Sequence, residues 1–113
     1  MAQAIALLHD IGRFEQFVHY GTFFDHVSTD HGLLGTKILS QTEVLSCLSP
    51  EEQEMIQTAI KYHNRRTLPG DLPESHMLFA ELIRDADKLD IFQGALDYYQ
   101  ERQSNPQSPG LEI

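Results

Sequence analysis

Histidine and aspartate carry the chemistry open to this chain of 113 residues, which has six histidines, seventeen acidic residues and one cysteine. The most informative pair is His9-Asp10, which closes a run of small apolar residues and is followed by Ile11-Gly12-Arg13. Adjacent side chains on a helix project about 100° apart, so both reach one ion only where the helix ends or bends. Gly12 marks such an end. The pair also fits a plainer role, with His9 favouring the helix dipole and Asp10 capping the next turn. Both readings stay open on spacing alone. Further along stand Asp30-His31-Gly32, Tyr62-His63-Asn64 and the acidic triple Asp85, Asp87 and Asp90. Glycine-rich phosphate loops, dinucleotide fingerprints and Gly-x-Ser-x-Gly elbows are absent. Cys47, between Leu45 and Leu48, is expected in the core rather than as a nucleophile. His19, His26 and His76 read as surface or packing residues.

Eight Lys and Arg against seventeen Asp and Glu leave a net charge of -9. That balance argues against a nucleic-acid surface or an anionic-membrane surface, since both need broad positive potential. The few cations are not spread evenly. Arg13, Lys61, Arg65, Arg66, Arg84 and Lys88 stand close to the histidines and aspartates named above. The arrangement fits either local concentration of positive potential or ordinary surface pairing. A lone cysteine forms no internal disulfide, and no apolar stretch is long enough to span a bilayer. The expected compartment is the cytoplasm.

The elements that must position these residues read as all helix. The first helix is expected from Ala2 to about Asp10, and a second through Phe14, Phe17 and Val18 to near Gly21. Asp30 looks like the N-cap of a third, through Leu33, Leu34, Ile38, Leu39 and Leu45, with Gly32 and Gly35 weakening its start. Ser49-Pro50-Glu51-Glu52 is a capping box with proline at the first helical position. Ile56, Ala59, Ile60 and His63 follow at i, i+3, i+4 and i+7, which puts His63 at the end of an apolar face. Residues 64–73 must form a loop. A last helix is expected from near Glu74 to Tyr98 or Tyr99, with a bend at Gly94, burying Leu78, Phe79, Leu82, Ile83, Ala86 and Leu89. On that stripe Asp87 lies about 120° from the centre, and Asp85 and Asp90 lie nearer, at about 80° and 60°. The expectation is one all-α bundle of about five helices over residues 1–103, then a tail over 104–113.

The run Ala6-Leu7-Leu8-His9-Asp10-Ile11-Gly12-Arg13 resembles the signature of the HD-domain superfamily, whose members are mostly metal-dependent phosphohydrolases. The resemblance extends over about residues 4 to 95 and includes a distant Asp, matched by Asp87 in Ile83-Arg84-Asp85-Ala86-Asp87-Lys88-Leu89-Asp90. Asp30-His31-Gly32 and Tyr62-His63-Asn64 are similar to intermediate motifs of members that carry extra histidines. The order of the four motifs makes the resemblance specific.

The resemblance implies an HD-domain-like helical bundle in which His9, Asp10 and Asp87 hold a divalent metal. His31 and His63 join them as further ligands or meet the substrate phosphate. Such donors suit Mn, Fe, Co, Ni or Zn. The implied reaction is hydrolysis of a small phosphate ester, a nucleotide or related metabolite, by metal-activated water. Asp10 would position that water, while Arg13 and Lys88 would neutralise phosphate charge. Asp85 and Asp90 are orienting candidates. The family's first ligand is a His on a helix upstream of the doublet, and this chain begins only eight residues before His9. The domain is therefore expected to be shortened at its N-terminus. Its first helix would expose apolar surface that a second copy, as a homo-oligomer, could cover. The alternative is a catalytically impaired module that binds nucleotides or phosphate without turnover.

Overall fold

The computed structural model describes residues 1–104, so all but the first residue of the expected tail lie outside the described residues. Five α-helices and one 3-10 turn make up the fold, with no strand among the described residues. They are α1 (Ala2–Leu8), α2 (Gly12–Tyr20), the 3-10 turn Asp25–Val27, α3 (His31–Ser40), α4 (Pro50–Tyr62) and α5 (Glu74–Ser104). The caps follow the residue chemistry. Asp30 accepts from the Gly32 and Leu33 amides, and Ser49 and Glu52 form the reciprocal capping box that starts α4. Gly21 ends α2 in the left-handed region at φ 68°, where a side chain would be strained.

Helix α4 is the centre of the bundle. It packs against α1, α3 and α5, while α2 packs on α3. Ile56, Ala59 and Ile60 of α4 are fully buried among Ile5, Leu39, Leu45 and Ile83. Each buried isoleucine contributes roughly 1.5–3 kcal/mol, and non-directional burial of this kind holds the helices that carry the polar residues.

Three expectations need correction. Helix α3 stops at Ser40 rather than continuing through Leu45. Just beyond it, Thr42 and Ser46 hydroxyls bond the carbonyls of Leu39 and Glu43, a local alternative to helical pairing. Leu45 is still buried, but from a turn, and Cys47 is exposed because helical register no longer ties it to Leu45 and Leu48. Helix α5 is continuous through Gly94 and reaches Ser104.

The largest difference is the buried face of α5. Leu78, Leu82 and Leu89 are exposed at 60%, 51% and 68%. The buried residues are His76, Ala80 and Ile83, spaced i, i+4, i+7. Ala80, fully buried, is small enough for a close helix approach that a leucine stripe would not allow. On the face actually buried, Asp87 is the next position, four residues after Ile83.

Candidate metal centre

Each site residue sits where an element starts, stops or crosses another. His9 is the C-cap of α1 and Asp10 follows it in the turn before α2. His31 is the first residue of α3, His63 the C-cap of α4, and Asp87 lies on α5. Gly12 brings the first two towards the third. A Cβ there would overlap the His31 carbonyl oxygen and stand 2.8 Å from the Gly35 amide nitrogen. Only glycine lets the start of α2 press so closely on α3.

The result is a tight cluster. His9 Nε2 stands 3.3 Å from Asp10 Oδ2 and 3.4 Å from Asp87 Oδ1. Asp10 Oδ1 stands 3.3 Å from His31 Nε2 and 3.4 Å from His63 Nε2. Ligand-type atoms of His9, Asp10, His63 and Asp87 all lie within 4.8 Å of one another. His31 adjoins this group, its Nε2 2.9 Å from that of His63.

The donor set fits a divalent cation. His9 Nδ1 donates to the Ala6 carbonyl at 2.7 Å, and His63 Nδ1 to that of Ile60 at 2.6 Å. A carbonyl only accepts, so both protons sit on Nδ1 and both Nε2 lone pairs face inward. His31 Nδ1 meets both Asp25 oxygens at 2.9 Å, which turns its Nε2 inward as well. Asp10 Oδ1 is buried and makes no hydrogen bond. Lone pairs gathered around a carboxylate oxygen repel unless protons or a cation stand among them.

The electrostatics favour protons on His9 and His31 in the metal-free chain. Hydrogen bonds to Asp10 and then Asp87 push the His9 imidazole up to about 10, against the opposing effect of burial. For Asp10, burial disfavours the charge, but His31, His63 and His9 outweigh it and hold the carboxyl far below the usual range. Burial likewise opposes protonation of His31, and Asp10 and Asp25 overcome it and raise its pKa. Asp25 is lowered in spite of burial by His31 and Gln16.

The support behind His31 comes from Gln16 and Asp25, which belong to no motif, and from Asn64, which closes one. Gln16 Nε2 donates to Asp25 Oδ1 at 2.8 Å, and Asn64 Nδ2 donates to Asp25 and Asp30 at 3.1 and 2.8 Å. Asp25 falls in a turn and belongs to no helical period. Only the i, i+4 spacing of Gly12 and Gln16 is visible in the sequence; the structure shows both buried, whereas Phe14 and Val18 are 76% and 79% exposed. A buried glutamine on a helix that leaves its phenylalanines and valine exposed must be hydrogen-bonded to something.

An open cleft of about 570 Å³ borders the cluster. Asp10, Arg13, Asp87 and Asp90 line it together with Phe14, Phe17, Val18, Phe23 and Ile91. Arg13 is pinned there by a 2.6 Å hydrogen bond to the Phe23 carbonyl, with Asp25 and Asp10 at 3.7 and 3.8 Å. Lys88 is exposed and is not part of the lining. One residue past Asp87, it points about 100° away around the helix. Asp85 pairs with Arg84 at 3.4 Å, His76 is buried at the start of α5, and His19 pairs with Glu15 on the surface.

The family model for the HD domain matches residues 1–91, which hold the whole cluster. The chain belongs to the HD-domain family. For an HD domain, metal-dependent phosphohydrolase chemistry is the family-level function, and the His-Asp cluster is the candidate metal-binding group. Comparison with curated proteins and with solved structures gave no match. No described helix of this HD domain is long and apolar enough to cross a membrane.

Proposed function

We propose that this HD domain hydrolyses a small phosphate ester, a nucleotide or related metabolite, at the His9–Asp10–His63–Asp87 cluster with His31 beside it. The observation that carries the reading is the buried Asp10 Oδ1, without a hydrogen bond and facing two imidazole Nε2 atoms. His9, Asp10, His63 and Asp87 would hold a divalent transition metal, and His31 would complete the set or orient what binds beside it. When bound, the metal supplies Lewis acidity that acidifies water and polarises a phosphoryl oxygen.

The chain's own residues do the remainder. Asp10 lines the cleft as well as the cluster, so its carboxylate can take a hydrogen bond from the attacking water. Arg13, fixed by Phe23, places a permanent positive charge beside Asp10 to meet the charge that grows on the phosphate oxygens. In a chain of net charge -9, that charge and the metal's offset the carboxylates an anion would otherwise meet. Asp25 keeps the His31 ring turned inward.

Elemental analysis of protein exposed to Mn, Fe, Co, Ni or Zn and a phosphomonoesterase assay test this together. The expected result is stoichiometric metal and turnover that both fall in His63→Ala and Asp87→Ala. Metal and phosphate binding without turnover would favour the non-hydrolysing module instead. No metal uptake would end the reading.

A further inference from the structure

We propose that the cleft beside the cluster selects phosphomonoesters whose alcohol portion is flat and apolar, with Phe14, Phe17 and Phe23 as the residues that decide specificity. This rests on the phosphohydrolase reading and narrows its substrate to metabolites with a flat apolar group on the ester oxygen, in place of nucleotides, whose ester oxygen belongs to a hydrated sugar. The cleft, at about 570 Å³, falls within the range of about 300–1,000 Å³ typical of small-molecule sites. Its polar lining is at the metal cluster and Arg13, apart from Asp90, and the rest is aromatic or aliphatic. The Phe17 and Phe23 rings stack with centroids 4.8 Å apart and planes 23° from parallel, so the two form a stacked aromatic layer in the wall. Flat rings pack on such a layer better than branched or hydrated groups do.

The aromatic face is held in this position at a cost elsewhere in the helix. Helix α2 turns polar Gln16 into the interior, where its amide nitrogen donates to Asp25, Ser28 and Thr29 at 2.8, 3.0 and 3.1 Å. These bonds set the rotation of α2 about its axis, and that rotation turns Phe14 and Phe17 towards the cleft instead of the core. Arg13 joins the two halves. Its guanidinium lines the phosphate end and donates to the backbone of Phe23, so charge and aromatic wall keep a fixed separation. A phosphate seated between the cluster and Arg13 therefore directs its ester group along the phenylalanines.

Calorimetric titration of the Mn-loaded protein with phenylphosphonate and methylphosphonate, neither of which can be hydrolysed, tests the inference. Phenylphosphonate is expected to bind about tenfold tighter or better. Phe14→Ala should cut that ratio to about threefold or less, and Phe14→Tyr, which keeps the flat ring, should restore it. Phe14 is 76% exposed, so its removal leaves the core intact, and circular dichroism checks this. Equal affinity for the two phosphonates overturns this inference and leaves the phosphohydrolase reading standing. Binding of neither, with no retained metal, overturns both. If Phe14→Ala changes the mass in solution while the ratio persists, the aromatic face serves contact between copies and the inference fails.

Discussion

Both carboxylate oxygens of Asp25 lie 2.9 Å from Nδ1 of His31, six residues further along the chain. That contact settles which ring nitrogen His31 offers to Asp10 and His63. It also draws Gln16 and Asn64, from α2 and the loop after α4, into the support of one imidazole. The first residue of α3 thus owes its orientation to three other segments of the chain.

Replacing Asp25 should therefore weaken the site without touching it. Asp25→Asn is expected to lower metal affinity about 10- to 100-fold, the usual consequence of losing a carboxylate behind a ligating histidine. Competition against a chromogenic chelator measures it, and an unchanged affinity would show that His31 plays no part in holding the ion.

Metal uptake should be proton-coupled. Asp10 and Asp87 keep His9 protonated up to about pH 10, so a cation must displace that proton. Apparent affinity is expected to rise as pH increases from 6 towards 10, with proton release seen in buffers of different ionisation enthalpy. A pH-independent affinity would remove His9 from the ligand set.

The same protons set the stability of the metal-free chain. The folded pKa of His9 is raised from 6.5 to about 10. Its contribution is therefore fully present below about pH 6.5 and is lost as pH rises through about 10. His31, also raised, acts in the same direction. Asp10 and Asp25 are lowered, so their contributions are present above the ordinary carboxylate range and are lost in acid. Urea midpoints of metal-free protein should peak between these limits and fall towards pH 10, a fall that His9→Gln should reduce.

Gly12→Ala should damage fold and site together. Its methyl group would enter the space of the His31 carbonyl, and such overpacking typically costs about 1–3 kcal/mol. Because the strain separates α2 from α3, metal affinity should drop along with the denaturation midpoint. A stability loss with intact metal binding would mean the close approach serves packing alone.

Arg13→Gln should weaken inorganic phosphate binding about tenfold more than Lys88→Gln does, as expected for loss of a charge-assisted contact. Arg13 lines the cleft and Lys88 is exposed outside it. Phosphate titration by calorimetry compares the two, and equal effects would mean a diffuse field rather than a focused one.

What could be read residue by residue was local chemistry. The capping box at Ser49 and Glu52, the Asp30 cap and the stop at Gly21 depend on bonds within four residues, and all formed as read. The family pattern singled out His9, Asp10 and Asp87 through their order, although angular periodicity on α5 pointed away from Asp87. The face that packs is a different one from the most apolar stripe. Leu78, Leu82 and Leu89 make the more apolar stripe, but α4 accepts the one bearing His76, Ala80 and Ile83. Periodicity reports which faces are apolar, and only the neighbouring helix determines which of them fits. Asp25, Gln16 and Asn64 were out of reach for a similar reason. Their partners lie 6 to 39 residues away along the chain, so the hydrogen bonds that join them to His31 exist only once α2, α3 and α4 have packed.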